Sequence, residues 1–425
     1  MFKKLFLVAL VIQAMTLSAR SQGFLKRLGE KAANAGSDLL IKKSSQKAEK
    51  AIDGNGSTKA KKDAAQDGTK GEKASESSKS GKLASSYTKF DFIPGEKTLL
   101  YDNFEQDVIG EFPLKWFTTG SAEIVKLDGQ QGKWLQFNSG QFLSPTIKLP
   151  ENFTVEFDVF LNLSLNSSAV FPGFQFEVFD RGDRAKRLDV YNYALKNILY
   201  FSTSFSRDKA TVSLDSRENA KQKLKSDKIF LTGFQSNYGS VIHVAIAIQK
   251  ERLRLWYNAD KVLDVPTAVA TAANFNQLLF SGAKTKEGYP AFFLSNLRIG
   301  AGQPDTRSKL LEQGRFVTNG ILFDTNSDKI KPESFGLIKE IAAAIKESPG
   351  IKIKIVGHTD NEGSEETNLA LSKKRAASVK KVLTEEFGID DGQIVTDGKG
   401  ASEPVGSNST ASGKAENRRV EFVKI

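Results

Sequence analysis

Between Phe153 and Leu165, Phe153, Val155, Phe157, Val159, Leu161, Leu163 and Leu165 alternate with Thr154, Glu156, Asp158, Asn162 and Ser164. A period of two puts successive side chains on opposite faces, so this run predicts a strand with one buried face. Phe174, Phe176 and Val178 repeat the pattern, and turn signals such as Asp128-Gly129, Pro172-Gly173 and Asn258-Ala259-Asp260 separate the runs. Many antiparallel strands of this kind predict an all-β sandwich over residues 90–300. Transmembrane barrel strands alternate too. Against a barrel, Lys250, Glu251, Arg252 and Arg254 cluster along one candidate strand, and the polar stretch 217–228 interrupts the series.

Beyond a linker at 301–315 the pattern changes. Pro332 suits the first turn of a helix, and Leu337, Ile338, Ile341, Ala342 and Ile345 give that helix an apolar face until Pro349-Gly350 ends it. Ile351, Ile353 and Ile355 then alternate with Lys352 and Lys354 as a strand, and from Asn368 the spacing of Leu371, Val379 and Leu383 is helical again. Ile394 and Val395, then Val420, Phe422 and Ile425, supply further strands. Residues 316–425 therefore read as an α+β domain with helices on one face of a mixed sheet.

Two charges in this domain carry candidate chemistry. Asp360 falls where the strand runs out, and Arg375 falls on the apolar stripe midway between Leu371 and Val379. An arginine facing a sheet needs a partner, because an unpaired buried charge costs several kcal/mol. Asp360 is one candidate partner and a bound carboxylate is another. The first alternative is a plain structural salt bridge; the second is a site for a ligand carrying both charges.

Composition narrows the setting. The chain of 425 residues has room for two or three domains. It has no cysteine, which excludes disulfides, thiolate metal sites and a cysteine nucleophile; no lipid anchor through an N-terminal cysteine is expected either. With only His243 and His358 present, histidine catalysis has little to work with. Lys3 and Lys4 precede an apolar run from Leu5 to Met15, and small residues follow at Ser18, Ala19 and Ser21, the pattern of a secretory signal over 1–21. Residues 22–89 are rich in Lys, Ala, Ser and Gly. Leu25, Leu28, Leu39, Leu40 and Ile41 support a short amphipathic helix, and the remainder predicts a basic disordered linker. The net charge of +11 raises the question of nucleic acid. For an exported chain, solvation or an anionic envelope surface is the expected role instead.

The C-terminal motifs occur in a particular order. Ile321-Leu322-Phe323-Asp324-Thr325-Asn326 is followed by Ile330-Lys331-Pro332-Glu333-Ser334 and the turn Gly357-His358-Thr359-Asp360. Asn368 to Arg375-Ala376, Gly398-Lys399-Gly400, Glu403-Pro404, Asn408 and Asn417-Arg418-Arg419-Val420-Glu421-Phe422 complete the set. In these motifs residues 316–425 resemble the OmpA C-terminal (OmpA/MotB-type) peptidoglycan-binding domain. The resemblance implies non-covalent binding of the peptidoglycan stem peptide through its diaminopimelate residue. It assigns Asp360 to the ligand's ammonium and Arg375 to its carboxylate, with Asp324, Thr325, Asn326 and Asn368 lining the pocket and Arg418 closing it. His358 belongs to the turn as a structural residue.

A looser resemblance covers the middle region. The runs 252–266 and 293–299 are similar to strands of concanavalin/laminin-G-type jelly rolls, many of which bind glycans and some of which hydrolyse them. Glycoside hydrolysis needs two carboxylates about 5–10 Å apart. Glu156 with Asp158 and Glu177 with Asp180 are the pairs to test, and the plainer reading of each is a solvated strand face. Arg181-Gly182-Asp183 reads as a turn.

The whole reading is a multidomain chain in which a disordered basic linker precedes a jelly-roll-like all-β sandwich and an OmpA-like α+β domain. The expected function is anchoring of an exported, periplasmic and outer-membrane-associated protein to peptidoglycan, with no catalytic residue, metal, cofactor or nucleic-acid partner. The competing expectation is an envelope glycan-binding or glycan-hydrolysing protein that acts through the sandwich, with the C-terminal domain as its targeting module.

Overall fold

The computed structural model describes residues 90–166, 171–180, 197–270, 273–302 and 305–425. The expected export signal, the expected basic linker and short amphipathic helix, and the turn expected at Arg181-Gly182-Asp183 lie outside the described residues.

Two large antiparallel sheets form the middle region. From edge to edge the first runs Asp260–Val265, Arg252–Tyr257, Val241–Gln249, Asn152–Leu161, Phe292–Ala301, Trp134–Ser139 and Ser121–Val125, with Lys97–Asp102 also paired to Phe292–Ala301. The second runs Lys221–Lys225, Ala210–Glu218, Ile198–Phe205, Phe174–Phe179, Gln277–Gly282, Gln141–Leu143 and Phe117–Thr118, with Ile229–Leu231 beside Ala210–Glu218. Their apolar faces meet in one core. The ring of Phe157 on the first sheet stands edge-on to Phe176 and Phe280 on the second, at 5.3 and 5.1 Å between centroids, an arrangement aromatic pairs favour.

The alternation at 153–163 puts Phe153, Val155, Phe157, Val159, Leu161 and Leu163 into that core. The opposite face is not the solvated one expected from alternation alone. Thr154, Glu156 and Asp158 are buried as well, because a second layer covers the outside of the first sheet. Phe90 and Phe92 pack on Trp256, Ala245 and Ala247 there. Gly95 donates its amide to Thr154 Oγ1 at 2.8 Å and accepts from Arg298 Nη2 at 2.9 Å. The same segment touches the C-terminal domain: Ile93 packs against that domain's core, and a Cβ at Gly336 would lie 2.4 Å from the carbonyl oxygen of Phe92.

The C-terminal sheet has four strands in the order Arg315–Thr318, Val420–Lys424, Ile353–His358 and Ile394–Gly400, the last pair parallel and the others antiparallel. Ile353, Ile355, Phe316, Val420, Phe422 and Ile394 pack against two helices, Phe335–Lys346 through Leu337, Ile338, Ile341 and Ile345, and Glu365–Glu385 through Ala376, Val379 and Leu383. The segment 301–315, read as a linker, contains a helix at Thr306–Leu311. Asp305 caps it by accepting from Ser308 N at 3.0 Å, and Leu310 is fully buried. A helix of six residues, fewer than two turns, is too short for apolar spacing to announce it.

Candidate functional site

Asp360 is placed by the sheet. The strand Ile353–His358 lies between its two neighbours up to its last residues, where the His358 amide donates to Arg419 O at 3.0 Å and the Thr359 amide to Gly400 O at 2.9 Å. The chain then leaves the sheet, and Asp360 lies buried at the start of the loop. Its Oδ1 accepts from the Glu362 amide at 3.1 Å, and its Oδ2 accepts from Arg418 Nη1 at 2.5 Å. Beneath this edge Glu421 Oε1 lies 3.3 Å from His358 Nε2. His358 first, then Arg315 and Arg419, pull the Glu421 carboxyl down to about 2. His358 thus sits inside the ion-paired scaffold of the loop, beside Arg418 and Arg419, which lead into the strand Val420–Lys424.

The helix Glu365–Glu385 places the next two residues. Ser364 caps it by accepting from Thr367 N, and Glu365 and Glu366 occupy the first turn, where the helix dipole favours anions. Asn368 is buried and donates through Nδ2 to Glu362 O at 2.9 Å, tying the helix to the loop that carries Asp360. Two glycines let the helix sit directly on the sheet. A Cβ at Gly357 would lie 2.3 Å from Ser372 O, and one at Gly398 would lie 2.4 Å from the Lys373 amide nitrogen.

Arg375 projects from the same helix but does not form the plain ion pair with Asp360 that its position allowed. Its Nε donates to Ser327 O at 3.0 Å, and its guanidinium carbon lies 4.9 Å from the centre of the Phe323 ring. Burial pushes the Arg375 guanidinium down from its ordinary value and Arg418 adds to this, while the charges of Asp360 and Asp328 oppose it. The arginine in the ion pair with Asp360 is Arg418, which follows the short helix Ala411–Asn417. Burial alone would lower Arg418, but Tyr101, Asp360 and Glu362 outweigh it and raise the group above its ordinary value.

Asp324, Thr325 and Asn326 lie on the loop that Arg375 holds. Asp324 pairs with Lys329 at 3.0 Å, Thr325 and Asn326 are exposed, and Asn326 takes the left-handed conformation at φ 53°. A second bond, from Ser378 Oγ to Asp328 Oδ2 at 3.0 Å, fastens the same loop to the helix. The arrangement therefore brings one carboxylate and two guanidiniums to one rim, with backbone and small polar side chains beside them. Charge-assisted hydrogen bonds from such groups are the strong ones, and two opposite signs side by side suit a ligand that carries an ammonium and a carboxylate. Sequence reasoning missed Phe323 and the Ser327 carbonyl as partners of Arg375, and Tyr101 as a neighbour of Arg418. Phe323 and Ser327 flank the Asp324 motif and so had a signal; Tyr101 had none.

Of the carboxylate pairs of the sandwich, Glu156 and Asp158 are committed elsewhere. Glu156 Oε1 accepts from Arg298 Nη1 at 2.6 Å, and Asp158 accepts from Asn296 Nδ2 at 2.7 Å with His243 Nδ1 2.8 Å away. Burial raises Glu177 to about 7, with Arg217 opposing it. Asp180 is buried beside Asn197, whose Nδ2 is 3.4 Å away.

Residues 322–418 match the model of the OmpA family. Over 106 residues the chain is 41% identical to the probable lipoprotein YiaD of Escherichia coli (strain K12), a stretch covering 25% of this chain and 48% of that protein. Over 101 residues it is 41% identical to the outer membrane porin F of Pseudomonas aeruginosa, covering 24% of this chain and 29% of that one. A stretch of 108 residues is 38% identical to the peptidoglycan-binding protein ArfA of Mycobacterium bovis, covering 25% and 33%. The chain thus spans less than half the length of each of these relatives.

Proposed function

We infer that this chain, which carries an OmpA family domain at residues 322–418, anchors an envelope protein to peptidoglycan by non-covalent binding. The observation that carries the reading is the rim itself, where Asp360 and Arg418 form an ion pair with Arg375 nearby on a scaffold of fixed loops. In this account Asp360 receives the ammonium of the stem peptide's diaminopimelate, and Arg375, with Arg418 beside it, receives the carboxylate. Asp360 carries two oxygens with room for more than one donor, so it can keep Arg418 while accepting an ammonium. Asn368 holds the loop in place, and Asp324, Thr325 and Asn326 line the approach. Binding of this kind needs no nucleophile and no metal. The matching relatives, one named as a peptidoglycan-binding protein and another as an outer membrane porin, support an exported, outer-membrane-associated location.

Co-sedimentation of the full chain with insoluble peptidoglycan tests the reading. Asp360→Ala and Arg375→Ala are each expected to lower affinity about 10-fold or more, the loss of a charge-assisted contact. Wild-type protein that stays in the supernatant, or folded variants that pellet equally well, would overturn it. Glu156 and Asp158, one of the two carboxylate pairs considered for glycan hydrolysis, are both held in buried ion pairs.

A further inference from the structure

Arg418 has a neighbour from outside its own domain. Its guanidinium carbon lies 5.5 Å from the centre of the Tyr101 ring, and Tyr101 belongs to the sandwich strand Lys97–Asp102. That strand pairs with Phe292–Ala301, Tyr101 opposite Arg298. The Tyr101 hydroxyl donates to Asn296 Oδ1 at 3.3 Å, Asn296 Nδ2 donates to Asp158 Oδ2 at 2.7 Å, and Asp158 Oδ1 lies 2.8 Å from His243 Nδ1. The Tyr101 ring therefore stands between the polar groups on the outer face of the first sheet and Arg418, which in turn meets Asp360.

The surroundings hold the two domains together at this point. The helix Ala411–Asn417 packs beside the strand of Tyr101, and Gln106 Nε2 donates to Ser409 O at 3.2 Å. A Cβ at Gly320 would lie 2.5 Å from Pro94 Cγ. Lys331 acts on Asp158 and Glu333 acts on His243 across the same boundary. A planar guanidinium is attracted to an aromatic face, and its rigid fork of donors points where its flanks are held. With Tyr101 against one flank, the Arg418 fork is directed at Asp360.

We propose that the sandwich is part of the wall-binding apparatus, with Tyr101 as a positioning residue that holds Arg418 against Asp360 and so sets the affinity of the C-terminal site for its zwitterionic ligand. The proposal rests on the peptidoglycan-binding reading above. It implies reciprocity: whatever loosens the contact between sandwich and C-terminal domain weakens wall binding, and wall binding tightens that contact.

Titration of the full chain against insoluble peptidoglycan tests this, with Tyr101→Leu, Tyr101→Phe, Arg418→Ala and the double variant Tyr101→Leu/Arg418→Ala. Leucine fills the space without offering a π face, so Tyr101→Leu should bind about 5-fold more weakly, whereas Tyr101→Phe keeps the face and should stay within about 2-fold of wild type. In the Arg418→Ala background Tyr101→Leu should add no further loss, because its effect runs through that guanidinium. A merely structural role would instead weaken binding by the same factor in both backgrounds. The proposal falls if Tyr101→Leu binds as wild type does, if Phe fails as Leu does, or if the two losses multiply. If wild type itself does not pellet, the wall-binding reading falls and takes this proposal with it. Wild type pelleting beside an unaffected Tyr101→Leu overturns the positioning role alone.

Discussion

Arg375 shows why the identity of a cation matters as much as its charge. It spends one donor on the Ser327 carbonyl and sets its guanidinium over the Phe323 ring, so the loop carrying Asp324 to Asn326 is held by the same group proposed to meet the ligand's carboxylate. A lysine keeps the charge but has neither a planar fork nor a stacking face. Arg375→Lys is therefore expected to weaken peptidoglycan binding by about 1–2 kcal/mol, roughly 5- to 30-fold, measured by pelleting titration with the fold checked by circular dichroism. Glu177 gives a separate residue-scale test. Burial raises its carboxyl from 4.5 to about 7, so between those values the unfolded chain loses a proton the folded chain keeps, and stability falls as pH rises through that window. Glu177→Gln should leave the melting midpoint nearly unchanged at pH 4.5 and raise it above pH 7. An equal change at both values would contradict the assignment.

At the scale of elements, the seating of the helix Glu365–Glu385 decides whether Asn368 and Arg375 reach the loop of Asp360. Gly357 and Gly398 permit that seating, each leaving less than 2.5 Å for a Cβ against the backbone of Ser372 or Lys373. Gly357→Ala is expected to cost about 2–4 kcal/mol of stability by forcing strand and helix apart, seen as a lower melting midpoint together with loss of wall binding. Much of this architecture was legible from local pattern: the alternation at 153–163, the helix face at 337–345 and the strand at 351–355 all announce which side is apolar. What pattern does not carry is what covers the other side. Thr154, Glu156 and Asp158 looked solvent-facing because alternation reports only polarity, whereas the segment at Phe90–Gly95 and the C-terminal domain lie over them. The charged rim was legible because Asp360 and Arg375 fall at a strand end and on a helix stripe close in sequence. Arg418's ion pair with Asp360 and its contact with Tyr101 depend on long-range packing, which no local spacing encodes.

For the whole molecule, the buried polar layer between sandwich and C-terminal domain should respond to pH. Burial alone would depress His243, but Asp158, Glu333 and Glu156 outweigh it and raise the group from 6.5 to about 9. The folded chain then holds a proton that the unfolded chain releases, a contribution fully present below pH 6.5 and lost as pH rises through about 9. Thermal midpoints should fall across that window in wild type, and His243→Gln should flatten the fall. A profile unchanged by the substitution would remove His243 from the account.

The central claim is that one rim reads an ammonium and a carboxylate together. Elution of peptidoglycan-bound full chain by free diaminopimelate, against Nα-acetyl-lysine amide at the same concentration, tests it most directly. The blocked lysine offers a side-chain ammonium with no carboxylate anywhere in the molecule, whereas each end of diaminopimelate carries both charges. The account expects diaminopimelate to release the protein and the blocked lysine to leave it bound. Equal release by both, or by neither, would contradict it.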